Sequence, residues 1–319
     1  MTAAAPEPGS PNWSDVQESL QKGLPKTAIE QLEAIEASAR EQDDTDAWVR
    51  AVAMRVTLRG RIEGTGEEER IVLFQDELEQ APEAARPIMQ ALLADWFWNY
   101  YQQNQWRFAQ RTPVAQATDA GGEPIDLKSA DDLRTWGRAR IAQQSASLFE
   151  AALGDAAQLQ AMPLTRFREL LQGLPDREEP TFRPTLYDFL VQEAIDYYVD
   201  ANSTYSGPLE RFDFGPESPA FAEPSAFLEW TLPEADLDSP LRRATELYQD
   251  WLQFHLADDA DDSELDARLD VDLNRLAFAA DHAVGDDEDV KESYAESLRR
   301  FVAEHVSHPA SARAKHTLA

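Results

Sequence analysis

The side chains that could do chemistry in this 319-residue chain are abundant in one kind and missing in another: it has 60 Asp and Glu, five His and no Cys. Without cysteine there is no thiolate nucleophile, no disulfide and no Cys-ligated metal. Carboxylates in such number can be paired for glycosidase or protease chemistry almost anywhere, so no pair stands out. The run Asp258–Asp266 (DDADDSELD) comes nearest to a calcium loop. Counted from Asp259, its sixth position is Glu264 and its twelfth is Asp270, where an EF-hand needs Gly and Glu. It reads instead as a solvated acidic turn between helices. His305, His308 and His316 are close in sequence, but Pro309 interrupts the helical register between them and no H-E-x-x-H is present. They are therefore not expected to hold a metal, and His255 and His282 read as helix-surface or edge-of-core residues. There is no G-x-S-x-G, no Gly-rich phosphate loop and no dinucleotide fingerprint. The expectation is a non-enzymatic chain with no metal and no cofactor; a helical enzyme working through acidic residues is the enzymatic alternative.

The densest feature is aromatic. Asp95–Phe108 reads DWFWNYYQQNQWRF. At helical spacing such a stretch is either the core of a helix covered on most sides or the lining of a groove for a peptide or sugar, and the pattern favours the core. If part of it is a binding face, the candidates are Trp98, Tyr101, Gln102, Asn104 and Trp106, where aromatic and amide side chains adjoin.

Composition limits the partners. The net charge is −31 and the pI about 4.4, with lysine only at Lys22, Lys26, Lys128, Lys291 and Lys315. Such a field repels phosphate backbones, so nucleic acid is not an expected partner. An acidic, lysine-poor surface is typical of proteins adapted to high salt, which screens the self-repulsion; the alternative is an acidic face for a basic partner. Hydrophobic residues make up 43% of the chain, including 8 Trp and 14 Phe, enough for a core despite the charge. No apolar run approaches the ~18 residues of a membrane span. The start, MTAAAPEPGSPNW, lacks the basic and apolar regions of a signal peptide and reads as a flexible lead-in over residues 1–12.

From Trp13 onward the apolar residues recur at helical period. Trp13, Val16, Leu20 and Leu24 form a first stripe, with Asn12 or Ser14 as N-cap. Gly23 and Pro25 punctuate before a second stripe of Ala28, Ile29, Leu32, Ile35 and Ala39. Further helices are expected over 46–59, 67–80, 82–107, 130–153 and 164–171, with a loop at 112–129. A Pro-rich break at 173–184 precedes a helix capped by Thr185. Residues 203–238 are irregular but carry Phe212, Phe214, Phe221, Phe227 and Trp230, which suggests packing on helices. The last third returns to stripes: Leu241–His255, Leu265–Ala280, then Val290–His305 behind an Asp286 cap, with a final helix after Pro309. The expected class is all-α, an α-solenoid of helical hairpins with degenerate tetratricopeptide-like repeats of roughly 35–45 residues, or alternatively a helical bundle. The expected organisation is a helical array over 13–172, an irregular connection over 173–240 packed on helices, and helical hairpins over 241–319. With no C-terminal signal, the chain looks cut from something longer.

Four segments carry a family resemblance: W-S-D-V-x-x-x-L-x-K-G-L-P-K-T-A (Trp13–Ala28), L-L-A-D-W-F-W-N-Y-Y-Q-Q-N-Q-W-R-F-x-x-R-T (Leu92–Thr112), D-D-L-R-T-W (Asp131–Trp136) and R-P-T-L-Y-D-F-L (Arg183–Leu190). In order and spacing they resemble the N-terminal helical region of the very large bacterial α2-macroglobulin-like proteins. The closing S-H-P-A-S-A-R-A-K-H-T-L-A fits the helix pair that follows there. The resemblance implies export to the cell envelope or beyond, and a role in trapping proteases through downstream β-sandwich domains, a bait segment and, in some members, a Cys-Gln thioester. This chain, having no Cys and no β-pattern, would be a helical prefix that docks or positions, its partners being those downstream domains or an envelope protein. Without the resemblance the reading is a free-standing helical adaptor for a peptide or protein, and the compartment is cytoplasmic.

Overall fold

Capping chemistry sets where the chain turns into helix. Asn12 Oδ1 accepts the backbone N–H of Ser14 at 2.9 Å and of Asp15 at 3.1 Å, while Asp15 Oδ2 accepts the Asn12 N–H at 3.0 Å, so two orphan donors of the first turn are answered reciprocally. The computed structural model describes residues 12–64, 66–109, 129–167, 170–171, 182–205, 207–208, 210–256 and 262–319. All the regular structure among them is helical, and none is strand. The lead-in at 1–12, the loop at 112–129, the break at 173–184 and the acidic turn at 258–266 lie wholly or partly outside those residues.

The chain divides into two units, residues 1–176 and 177–319. The second unit takes in residues 177–240 of the expected connection, including the helix that Thr185 caps. In the first unit the helices are α1 (Trp13–Gln21), α2 (Pro25–Glu41), α3 (Thr45–Glu63), α4 (Glu67–Glu79), α5 (Arg86–Gln103), α6 (Gln105–Ala109), α7 (Ala130–Thr135), α8 (Arg138–Ala152) and α9 (Ala156–Gln160). From α1 to α5 each helix packs on the next in sequence, and α5 then packs extensively on α8. Connections of a few residues make neighbours of sequential helices. α3 ends at Gly64, whose φ of 63° lies in the left-handed region that favours glycine. Between α1, α2 and α3, Val16, Ala28, Leu32, Ile35, Ala51 and Leu58 close into one apolar cluster.

Two expected helices are broken, and the side chains explain why. The helix expected over 82–107 stops at Asn104, whose Nδ2 donates to the Tyr100 carbonyl at 2.9 Å and to Glu67 Oε2 at 3.2 Å. That carbonyl is one of the orphan acceptors a helix end leaves behind, and an amide side chain can satisfy it. The helix expected over 130–153 breaks at Trp136 and Gly137. Trp136 adopts extended backbone (φ −64°, ψ 139°), which lets its ring stack on Phe97 with centroids 5.6 Å apart and planes 4° from parallel. Arg140 lies over its ring at 4.1 Å. An unbroken helix would not bring that indole to the α5 core. The expected helix at 164–171 shortens to a 3-10 turn over Leu164–Phe167.

In the second unit the helices are α10 (Leu186–Asn202), α11 (Pro224–Leu228), α12 (Pro240–Leu256), α13 (Asp262–His282), α14 (Asp287–Glu304) and α15 (Ala310–Thr317). α10 packs on α12, α12 on α13, and α13, α14 and α15 on one another. Leu269, Leu273, Leu276, Leu298, Phe301, Ala310 and Ala314 form their apolar contact, the stripes expected from the period. The irregular stretch after α10 packs inward as expected: Phe212, Phe214, Phe221 and Phe227 are buried and Trp230 is half-buried.

The pairing of α10 with α12 is organised by one carboxylate. Asp188 is 0% exposed and each of its oxygens takes two donors. Oδ2 accepts the Thr185 N–H at 2.8 Å and the Thr185 hydroxyl at 2.7 Å, closing the N-cap of α10. Oδ1 accepts the indole N–H of Trp251 at 2.7 Å and faces His255 Nε2 at 2.6 Å, where a carboxylate acceptor requires that nitrogen to donate. His255, expected at a helix surface or core edge, is instead buried at 5% exposure because it brings this donor to the buried acid. Removing the acceptor strands two buried ring donors. Asp188→Ala is thus expected to destabilise the chain by about 2–5 kcal/mol, read as a lowered midpoint in urea followed by circular dichroism. An unchanged midpoint would contradict this account of the α10–α12 contact.

Candidate functional site

The five residues singled out in the aromatic stretch are distributed rather than gathered. α5 carries Trp98 and Tyr101 into the core, each 6% exposed, with ring centroids 4.9 Å apart. Tyr101 also meets Phe108 of α6 at 5.3 Å. Asn104 is half-buried and acts as the helix-ending amide described above, whereas Gln102 is exposed. Trp106, at 67% exposure, presents most of its indole to solvent. A partner can therefore reach Gln102 and Trp106 directly, but Trp98 and Tyr101 only through local opening. The stretch is core along α5 and surface at the turn into α6.

Beneath that surface lies an ionic centre that has no motif. α4 begins with Glu67, Glu68 and Glu69, acidic residues placed where the helix dipole favours them. Glu68 is buried at 6% exposure, and its Oε1 accepts the Tyr100 hydroxyl at 3.0 Å and Arg107 Nη1 at 3.2 Å, with Arg134 Nε at 3.5 Å. Arg134 also pairs with Glu69, and with Asp131 at 2.7 Å. The same short acidic turn thus holds α5, α6 and α7, tying down the chain at Arg107 and again at Arg134. Burial by itself would raise the Glu68 pKa, but the hydrogen bonds from the backbone, Tyr100 and Arg107 and the charge of Arg134 outweigh it and hold the carboxyl below its usual range.

A second pairing, built on the buried Arg55 and two half-buried glutamates, joins α2, α3 and α4. Arg55 bonds Glu36 through Nε at 2.6 Å and Nη2 at 3.0 Å, and reaches Glu77 at 3.0 Å. Burial disfavours the Arg55 charge, yet two carboxylates more than offset it and raise its pKa. Glu36 goes up as well, because burial dominates, and Glu77 and Glu33 work against the hydrogen bond and charge of Arg55. In the second unit Arg275, 1% exposed, bonds Asp272 and donates to the carbonyls of Ala220 at 2.8 Å and Ala222 at 2.9 Å. Arg300 and the Ser297 hydroxyl donate to the Phe221 carbonyl at 2.8 Å and 2.7 Å. These donors take up the carbonyls at the end of the 3-10 turn Pro219–Phe221 and fasten it to α13 and α14.

The histidines do not converge. His308 Nε2 lies 2.9 Å from Asp266, and burial lowers the pKa of His305 and of His282. Among the described residues no group of three His, Asp or Glu side chains is arranged as metal ligands would be, and no helix is long and apolar enough to cross a membrane. Comparison with protein-family models, curated proteins and solved structures finds no match to this chain.

The Glu68 geometry has a pH signature. Because its folded pKa is depressed, the stabilisation is present above the unfolded carboxyl value of about 4.3 and is lost as pH falls through the folded value. Glu68→Gln is expected to be less stable than the parent at pH 7, with the gap narrowing as the pH is taken down through the carboxylate range. Denaturant midpoints of both chains across that range measure it, and a gap that widens in acid would refute the assignment.

Proposed function

We propose that this chain is a non-enzymatic helical interaction module whose first unit is a short solenoid of helical hairpins, and that it forms the N-terminal part of a large α2-macroglobulin-like protein of the cell envelope. The observation that carries the reading is the packing order from α1 to α5. Each helix takes its chain neighbour as partner, the arrangement by which repeat arrays build an extended surface. The buried ionic side chains support it as well: Arg55, Glu68, Asp188 and Arg275 face other protein groups inside each unit. The exposed Trp106, beside Gln102 at the α5–α6 turn, is the anchor such a module would offer, since a solvent-facing indole brings large apolar area and one hydrogen-bond donor to a contact. The partner in this reading is protein, either the downstream domains of the same polypeptide or an envelope protein.

Two measurements test it. Macroglobulin-type β-sandwich domains are expected downstream of Ala319 in the same reading frame of the gene; a stop codon there would remove the family assignment and leave a free-standing adaptor. For the module itself, Trp106→Ala is expected to weaken partner binding about tenfold or more with an unchanged melting temperature. Trp98→Ala is expected to lower the melting temperature, as loss of a buried aromatic does. If Trp106→Ala leaves binding to the partner intact, this surface is not the contact.

A further inference from the structure

The second unit carries a groove that the ionic centres above do not use. It is open, about 480 Å³, and runs between α11, the last turn of α12 and the end of α14. Its floor is aliphatic, made by Pro224, Leu228 and Leu256, and its rim is acidic, made by Glu223, Glu229 and Glu304. All three glutamates are exposed. Among the described residues none of their carboxylates pairs with Arg or Lys: that of Glu223 accepts the Ser225 hydroxyl at 3.2 Å, and that of Glu304 lies 4.0 Å from the His305 imidazole. The neighbouring guanidiniums of Arg275 and Arg300 are engaged with the carbonyls of Ala220, Ala222 and Phe221. α14 also ends at this rim with no basic residue in its last turn, so the negative end of its dipole adds to the three carboxylates.

An apolar floor inside an acidic rim fits a side chain that is aliphatic along its length and cationic at its head, which is the make-up of arginine and lysine. We propose that this groove is a docking site for a basic amphipathic peptide segment of a partner protein, seating an arginine head among Glu223, Glu229 and Glu304 and an adjacent leucine-like side chain on Leu228 and Leu256. Charge complementarity selects this occupant: an acidic or neutral apolar segment would leave three carboxylates facing apolar surface without a cation, whereas a basic one pairs with them at the partly desolvated rim. The inference rests on the reading of the chain as an interaction module, and it assigns that module a second contact in a different unit from Trp106.

The test titrates the full chain with a fluorescein-labelled peptide built on the repeat Arg-Leu-Leu-Arg, using fluorescence anisotropy at near-physiological salt. Diffuse attraction to a −31 chain is the competing explanation, so the decisive comparison is between two variants that lose equal charge. Glu229→Gln with Glu304→Gln is expected to weaken binding about tenfold, equivalent to ~1.4 kcal/mol. Glu30→Gln with Glu33→Gln, on the exposed face of α2, is expected to change it less than about twofold, as a rim charge remote from the contact does. An Arg-Ser-Ser-Arg repeat is expected to bind about tenfold more weakly than the leucine peptide, since it cannot use the floor. Equal losses in the two variants, or equal affinity for the two peptides, would overturn the proposal in favour of non-specific attraction. So would a parent chain that fails to bind the leucine peptide. Because Trp106 lies in the other unit, its variant reads the module assignment independently of this outcome.

Discussion

A carboxylate removed from water has to bring its donors with it, and the packing of this protein follows from that requirement. Four carboxylates are buried among the described residues: Asp46, Glu68, Asp188 and Asp272. Each is answered from outside its own helical turn or ties its helix to another. Asp46 accepts the Leu170 N–H at 3.0 Å, Glu68 gathers Tyr100 and Arg107, Asp188 takes Trp251 and His255, and Asp272 braces Arg275 against the carbonyls of the irregular segment. The apolar stripes would allow these helices to slide or rotate on one another. The acid sites do not, because a small shift would leave a buried charge without partners.

The helices themselves were largely legible in the residues. Apolar recurrence at helical period located the stripes of α12, α13 and α14. Polar residues set just before the stripes located helix starts, Thr185 ahead of α10 and Asp286 ahead of the acidic first turn of α14. What periodicity could not reveal were the places where one side chain overrides it. Asn104 ends α5 through a hydrogen bond to the carbonyl of Tyr100, and Trp136 interrupts the next helix to reach Phe97. Both are fixed by a neighbour on another element, Glu67 for the amide and Phe97 for the indole. Of the candidate binding face, Trp98 and Tyr101 read as one group with Trp106 because they share a short stretch, and only the break at Asn104 separates buried from exposed. The ionic centres left a fainter signal. Arg55 and Arg275 interrupt apolar stripes at positions where a leucine would be expected, and a charge in such a place marks a partner waiting elsewhere in the fold.

Arginine and lysine play different parts here, and chemistry accounts for the division. Among the described residues the cations that enter the interior, at positions 55 and 275, are arginines, each bonded to two or more acceptors in different directions. A guanidinium offers five donors in a rigid plane and is only weakly hydrated, so it can bridge a carboxylate and a carbonyl at once. An ammonium is a compact and strongly hydrated charge; Lys22, paired with Glu18 on the exposed face of α1, is an example. A chain with few lysines can therefore reflect the demands of its interior as well as those of its solvent.

The clamp on residues 220–222 bears on the order in which the molecule can be made. The acceptor carbonyls precede their donors by 53 to 79 residues. A ribosome releases Phe212, Phe214, Phe221 and Phe227 well before Arg275, Ser297 and Arg300 exist to receive that stretch. The first unit, whose early helices pack on their immediate neighbours, can settle as it emerges. The second must keep an aromatic segment waiting while α12, α13 and most of α14 are made, because its last donors, Ser297 and Arg300, lie on α14.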